Sequence, residues 1–140
     1  MQMILPLMFT IFISGNIMAT ELYVIVNKNN NVNSLEISDL KKIYLGKKKR
    51  FESGKKIKVI DYKGNDEVKK VFYQLVARRS VRDVKNYWYK LVFTGKAVPP
   101  VPLKSAKEVV EYVENNESAI GYVPKEAIND KVKSILKLQP

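Results

Sequence analysis

The chain has 140 residues and a formal net charge of +11, from 25 Lys and Arg against 14 Asp and Glu, and it contains neither Cys nor His. That length suits one domain with a modest core. The missing Cys excludes disulfides, a lipidated Cys, thiol nucleophiles and Fe–S ligation, and the missing His removes the commonest general base and metal ligand, so no cofactor, resident metal or enzymatic activity is expected.

Residues 1–19, MQMILPLMFTIFISGNIMA, carry no charged side chain and hold an apolar stretch from Met3 to Ile13. They read as a secretory signal cleaved after Ala19, which leaves residues 20–140 as a single periplasmic or secreted domain. A permanent transmembrane anchor is the rival, for which the stretch is short. The n-region departs from the usual signal in having no Lys or Arg. All of the net charge falls on the exported portion, whose field attracts anions without choosing among them.

Leu22 to Val26, LYVIV, is an apolar β-branched run, read as a buried strand, and NKNNNVNS after it as a loop. Ser38 is placed to cap a short helix that turns Leu40, Ile43 and Tyr44 inward and stops at Gly46. In GKKKRFESGKK the run Lys47 to Arg50 stands beside Phe51, suiting either contact with a phosphate backbone or an ordinary solvated surface. Ile57 to Asp61 makes a second strand. Beyond the KGND turn, Val68, Val71, Phe72, Leu75 and Val76 fall on one helical face, with Asn65 or Asp66 as cap and the early acids facing the positive end of the helix dipole.

Val81, Val84, Tyr87, Trp88, Leu91 and Val92 mark a third helix ending near Thr94 and Gly95, its aromatics sharing the stripe of core aliphatics. KAVPPVPLK follows as a stiff loop. Ser105 caps a fourth helix with Val109, Val110 and Val113 inward, and Glu108 completes a capping box. Ser118 to Val123 is a third strand, Pro124 starts a short helical turn, and Val132 to Leu138 is the last strand. Strands separated by helices predict an α/β layer, a mixed sheet flanked by helices.

One stretch asks for more than structure. In KVIDYKGNDE, residues 58–67, an apolar run ends in a Gly-containing turn that opens a helix, a frame in which backbone N–H groups collect for anions, yet the turn carries Asp61, Asp66 and Glu67. Taken in order, VIVNKNN, SLEISDLKKIYLGKKKRF, KVIDYKGNDEVKKVFYQLV, NYWYKLVFTG and AIGYVP resemble the phosphate-type periplasmic substrate-binding proteins of ABC transporters, over nearly all of Leu22 to Pro124. The resemblance implies a type II periplasmic-binding-protein-like fold. Those proteins close two lobes on a ligand, and this chain resembles the second lobe alone.

The family's second-lobe phosphate motif is an Arg, three residues, then Ser-Gly-Thr. Laid on this chain by the turn glycine, the Arg falls on Asp61 and Ser-Gly-Thr on Asn65, Asp66 and Glu67, so none of it is kept. The resemblance therefore implies a retained fold with altered ligand chemistry. Candidate ligand-binding residues are Asn27, Asp61, Lys63, Gly64, Asn65, Asp66 and Glu67. An amine, a sugar or a metal-bridged group would fit three carboxylates at least as well as bare phosphate.

The expected partners are phosphate or another small solute, an ABC transporter or envelope protein, and a second subunit completing the site as a homodimer. Two rivals remain. One is a basic interaction module that uses Lys47 to Arg50 with Arg78, Arg79 and Arg82 on an envelope polyanion or partner protein, nucleic acid being the less expected polyanion. The other is a carboxylate hydrolase on Asp61, Asp66 and Glu67, for which no partnered base is visible.

Overall fold

Six residues rich in β-branched side chains form β1 (Leu22–Asn27), buried along its length apart from the half-buried Tyr23. Burial on both faces marks a central strand. The computed structural model describes residues 21–140 and, before them, Gln2 alone, so the expected signal segment lies outside the described residues. Among the described residues no helix is long and apolar enough to cross a membrane.

Four further strands, β2 (Lys58–Tyr62), β3 (Val101–Leu103), β4 (Ala119–Pro124) and β5 (Val132–Leu138), join β1 in one mixed sheet of order β3-β2-β4-β1-β5. β2 runs parallel to β3 and β4, whereas β1 runs antiparallel to β4 and β5. This is the α/β layer that the strand and helix order predicts.

The third strand in the chain was not legible as one. β3 sits inside the Pro-rich loop, with Pro102 in register with Asp61. A proline removes a ladder donor, which excludes it from a central strand but not from an edge, where β3 lies.

Helix α1 (Ile37–Tyr44) buries Leu40, Ile43 and Tyr44 as expected, but it starts one residue before Ser38. Ser38 therefore lies in the first turn and is not the cap, and the residue that is, Glu36, makes no side-chain capping bond. α2 (Glu67–Ala77) is capped by Asp66, whose carboxylate accepts the Val68 N–H at 2.8 Å. α3 (Val81–Phe93) is capped by Ser80, and α4 (Ala106–Glu114) by Ser105, which accepts from Glu108 N–H at 3.2 Å. The return half of that capping box is displaced by one residue, Glu108 accepting the N–H of Lys104 at 2.8 Å.

Val109, Val110 and Val113 press α4 onto β4, each contributing about 1.5–3 kcal/mol by burial. Gly121 makes this approach possible, because a Cβ there would stand 2.7 Å from Val109 Cγ1. On α3 the stripe is narrower than expected: Val81, Val84 and Trp88 are buried, Tyr87 is half-buried, and Val92 is exposed together with Tyr89 and Phe93.

Candidate functional site at the carboxyl end of strand β2

The chain leaves β2 through a turn in which the Lys63 N–H donates to Leu103 O at 2.9 Å, binding the ends of β2 and β3 together. Gly64 follows in the left-handed region at φ 64° with open space around the position a Cβ would take. Lys63, Gly64, Asn65 and Glu67 are exposed, and Asp66 is spent on the cap of α2. Glu67 lies 3.5 Å from the Lys70 ammonium one turn on.

Asp61 is turned inward. Its Oδ2 accepts from the Tyr73 hydroxyl at 2.6 Å, and its Oδ1 accepts from the Tyr122 hydroxyl and from the Tyr62 N–H. Lys69 closes the set from the rim, 4.0 Å from Oδ2 and donating to Tyr62 O at 3.0 Å. Around the carboxylate the rings pack closely: Phe72 stacks on Tyr122 at 3.7 Å, and Tyr44 meets Phe72 edge-on at 4.6 Å. Burial, followed by the Asp61 charge, pushes the phenols of Tyr44, Tyr73 and Tyr122 well up, and burial, followed by Asp66 and Asp61, raises Tyr62. A carboxylate with this many donors is a core acceptor, and its ligand valence is already filled.

Asn27 is also occupied, and elsewhere. Its amide donates to Val113 O at 3.0 Å and Glu114 O at 2.9 Å, satisfying carbonyls at the end of α4, while its Oδ1 accepts from Asn29 N–H at 2.9 Å. β1 is antiparallel to β4 and β4 is parallel to β2, so Asn27 stands at the start of β4 and the Lys63 to Glu67 turn at its far end. A strand of five residues puts about 17 Å between them. The expected grouping of Asn27 with the turn does not form.

A cavity of about 830 Å³ opens beside the turn, bounded by Asp61, Tyr62, Gly64, Asn65 and Lys69 on one side and by α3 and the Pro99, Pro100 and Pro102 segment on the other. From α3 it receives Arg82, Lys85, Trp88 and Tyr89. Neither Arg82 nor Lys85 has an ion-pair partner among the described residues, and Lys85 lies 5.6 Å from the Tyr89 ring centre. Of the predicted site residues, Asp61, Gly64 and Asn65 line this space; Lys63, Asp66, Glu67 and Asn27 do not. Lys69 and Lys85 were missed because a cation on the outer face of an amphipathic helix has no sequence mark distinguishing it from a solvated one. Among the described residues no three His, Cys, Asp or Glu side chains gather as metal ligands.

No protein-family model and no curated protein matches the chain. Solved structures do. An ABC-type phosphate transport receptor from Vibrio cholerae aligns with a TM-score of 0.66 at 21% identity, over 84% of this chain and 46% of that one. A putative phosphate ABC transporter substrate-binding protein with bound phosphate, from Clostridium perfringens, gives 0.69 at 21% identity over 84% and 45%, and PstS from Borrelia burgdorferi gives 0.64 at 15% over 84% and 47%. The chain has the fold of one lobe of a phosphate-type periplasmic binding protein.

It spans less than half the length of each of these structures, and at such identities the likeness is one of fold. In open α/β sheets of this kind, ligands sit in the crevice beyond the carboxyl ends of parallel strands, where successive connections leave in opposite directions. β2 is such a position here: the chain passes through α2 and α3 to β3 on one side, then through α4 to β4 on the other. The cavity beside the β2–α2 turn lies on the β3 side of that position, between the turn, α3 and the Pro-rich segment.

Proposed function

We propose that residues 20–140 form one exported, non-enzymatic binding domain, released from a signal at residues 1–19, that works as a phosphate ABC transporter substrate-binding-like module with an altered phosphate motif. The observation that supports this reading is the cavity at the carboxyl end of β2, which Lys69, Arg82 and Lys85 line together while the Asp61 carboxylate is held by tyrosine hydroxyls. The ligand is a small anionic solute held by helix-borne cations rather than by a cradle of Arg and Ser-Gly-Thr. A second lobe, supplied by another copy or by a partner of the transporter or envelope, would close over it.

An open half-clamp leaves each charge-assisted bond in water, where it is weak and screened. Calorimetric titration with inorganic phosphate at two salt concentrations tests this: millimolar affinity, about −4 kcal/mol, that falls as salt rises and is lost in Arg82→Glu/Lys85→Glu is the expected result. Tight, salt-resistant binding would mean that the protein builds a complete phosphate site by another route.

The reading as a basic interaction module is favoured by a separate observation: Lys47, Lys49 and Arg50 are exposed and have no acidic partner among the described residues. The carboxylate-hydrolase reading loses its parts, since Asp61 is bound by tyrosines and Asp66 by a helix end.

A further inference from the structure

At the opposite, amino end of β2 lies a second cavity, of about 760 Å³, separated from the first by Trp88 and the Pro99 and Pro100 segment that both share. Its floor is apolar, made by Ile43, Ile57, Val59, Trp88, Ala97 and Val101. Five lysines, Lys48, Lys49, Lys56, Lys58 and Lys96, stand around it, and no acidic side chain lines it. Lys48 is paired with Asp39 and Glu52, and Lys49 donates to Lys96 O at 3.1 Å. Lys56 and Lys96 are exposed and have no ion-pair partner among the described residues, whereas the Lys58 ammonium is turned to α4, 5.6 Å from the Tyr112 ring centre.

The apolar floor inside the lysine rim separates this place from an ordinary solvated lysine surface. Trp88, which is 8% exposed, contributes to that floor. The floor reaches the lip at Val98, which is 81% exposed.

We propose that this cavity binds an amphiphilic anion, with the phosphate or carboxylate head on the Lys56 and Lys96 rim and the apolar body along Trp88, Val98 and the Pro99 and Pro100 segment. A lysine rim alone would take any anion and an apolar trough alone any hydrophobe; their adjacency selects a molecule that has both parts. The site is distinct from the cavity at the carboxyl end of β2, so it stands or falls independently of the solute-binding reading.

Trp88 is the sole tryptophan in the chain, which makes its emission a reporter placed in the cavity wall. Because Trp88 also lines the first cavity, the Arg82→Glu/Lys85→Glu variant, in which that cavity no longer takes phosphate, is titrated with monomeric dioctanoyl phosphatidic acid, with uncharged dioctanoylglycerol, and with inorganic phosphate, following Trp88 fluorescence. A saturable change with phosphatidic acid alone is expected. Lys56→Glu/Lys96→Glu should weaken it about tenfold with an unchanged circular dichroism spectrum, and Val98→Asp, at an exposed lip, should weaken it without unfolding risk. The proposal is overturned if phosphatidic acid gives no saturable change, if the diglyceride or free phosphate gives the same change, or if charge reversal leaves the response intact.

Discussion

The Tyr73 hydroxyl donates to Asp61 at 2.6 Å inside the core, at the position where the phosphate-binding resemblance would place a ligand-holding Arg. With Tyr122 on its other oxygen, the carboxylate ties α2, β2 and β4 together, having exchanged an outward role for an inward one. Asp61→Ala would leave two buried hydroxyls unpaired and should cost about 2–5 kcal/mol in urea unfolding. Asp61→Arg, which restores the motif residue by name, should destabilise the fold at least as much and create no phosphate site, because a guanidinium there would be buried without a carboxylate.

Alkaline unfolding should be steep. The phenols of Tyr44, Tyr62, Tyr73 and Tyr122 all have raised values in the folded protein, against an ordinary value of 10.0. Each holds its proton more tightly folded than unfolded, so the stability it confers is complete below the unfolded value and is lost as pH rises from there toward the folded values. Above pH about 10 the unfolding free energy should fall by about 1.4 kcal/mol per pH unit for each such tyrosine. Urea midpoints across that range check the slope, and Tyr122→Phe should flatten it by one tyrosine's share.

Two glycines of similar backbone angle should respond differently to alanine. Gly46 has φ 73°, and a Cβ on it would stand 2.8 Å from Trp88 Cη2 and 3.3 Å from Ala97 Cβ; Gly64 has φ 64° and nothing within 4 Å. Gly64→Ala should cost about 1 kcal/mol, the conformational penalty alone. Gly46→Ala adds overpacking and should cost about 2–4 kcal/mol, with a shift in Trp88 emission.

The acids that open α2 should separate by role. Asp66→Ala removes an N-cap and should cost about 0.5–2 kcal/mol, whereas Glu67→Ala, at an exposed position, should stay within about 0.5 kcal/mol. Neither should alter anion binding in the adjacent cavity, since neither lines it.

Much of the fold was legible because its signals are local. Val68, Phe72 and Val76 repeat with the helix period, Asp66 and Ser105 cap where the sequence places caps, and LYVIV could be little but a buried strand. β3 escaped because an edge strand tolerates the proline that argues against strand in a sequence. The site was legible only in part. That Asp61 faces inward depends on Tyr73 and Tyr122, 12 and 61 residues away, and that Asn27 is remote from the turn depends on β1 running antiparallel to β4. Pairings at such separations leave no mark on either segment alone. Arg82 and Lys85 meet Lys69 for the same reason, through the packing of α3 on α2.

The most direct test of the central claim, an anion site in the cavity at the carboxyl end of β2, is amide and side-chain NMR mapping of the protein titrated with phosphate at low salt. The account predicts saturable shifts confined to Gly64, Asn65, Lys69, Arg82 and Lys85, receding as salt is added, with Asp61 and its tyrosines unmoved. Shifts centred on Asn27 or on the Lys47 to Arg50 run, with the cavity silent, would contradict it.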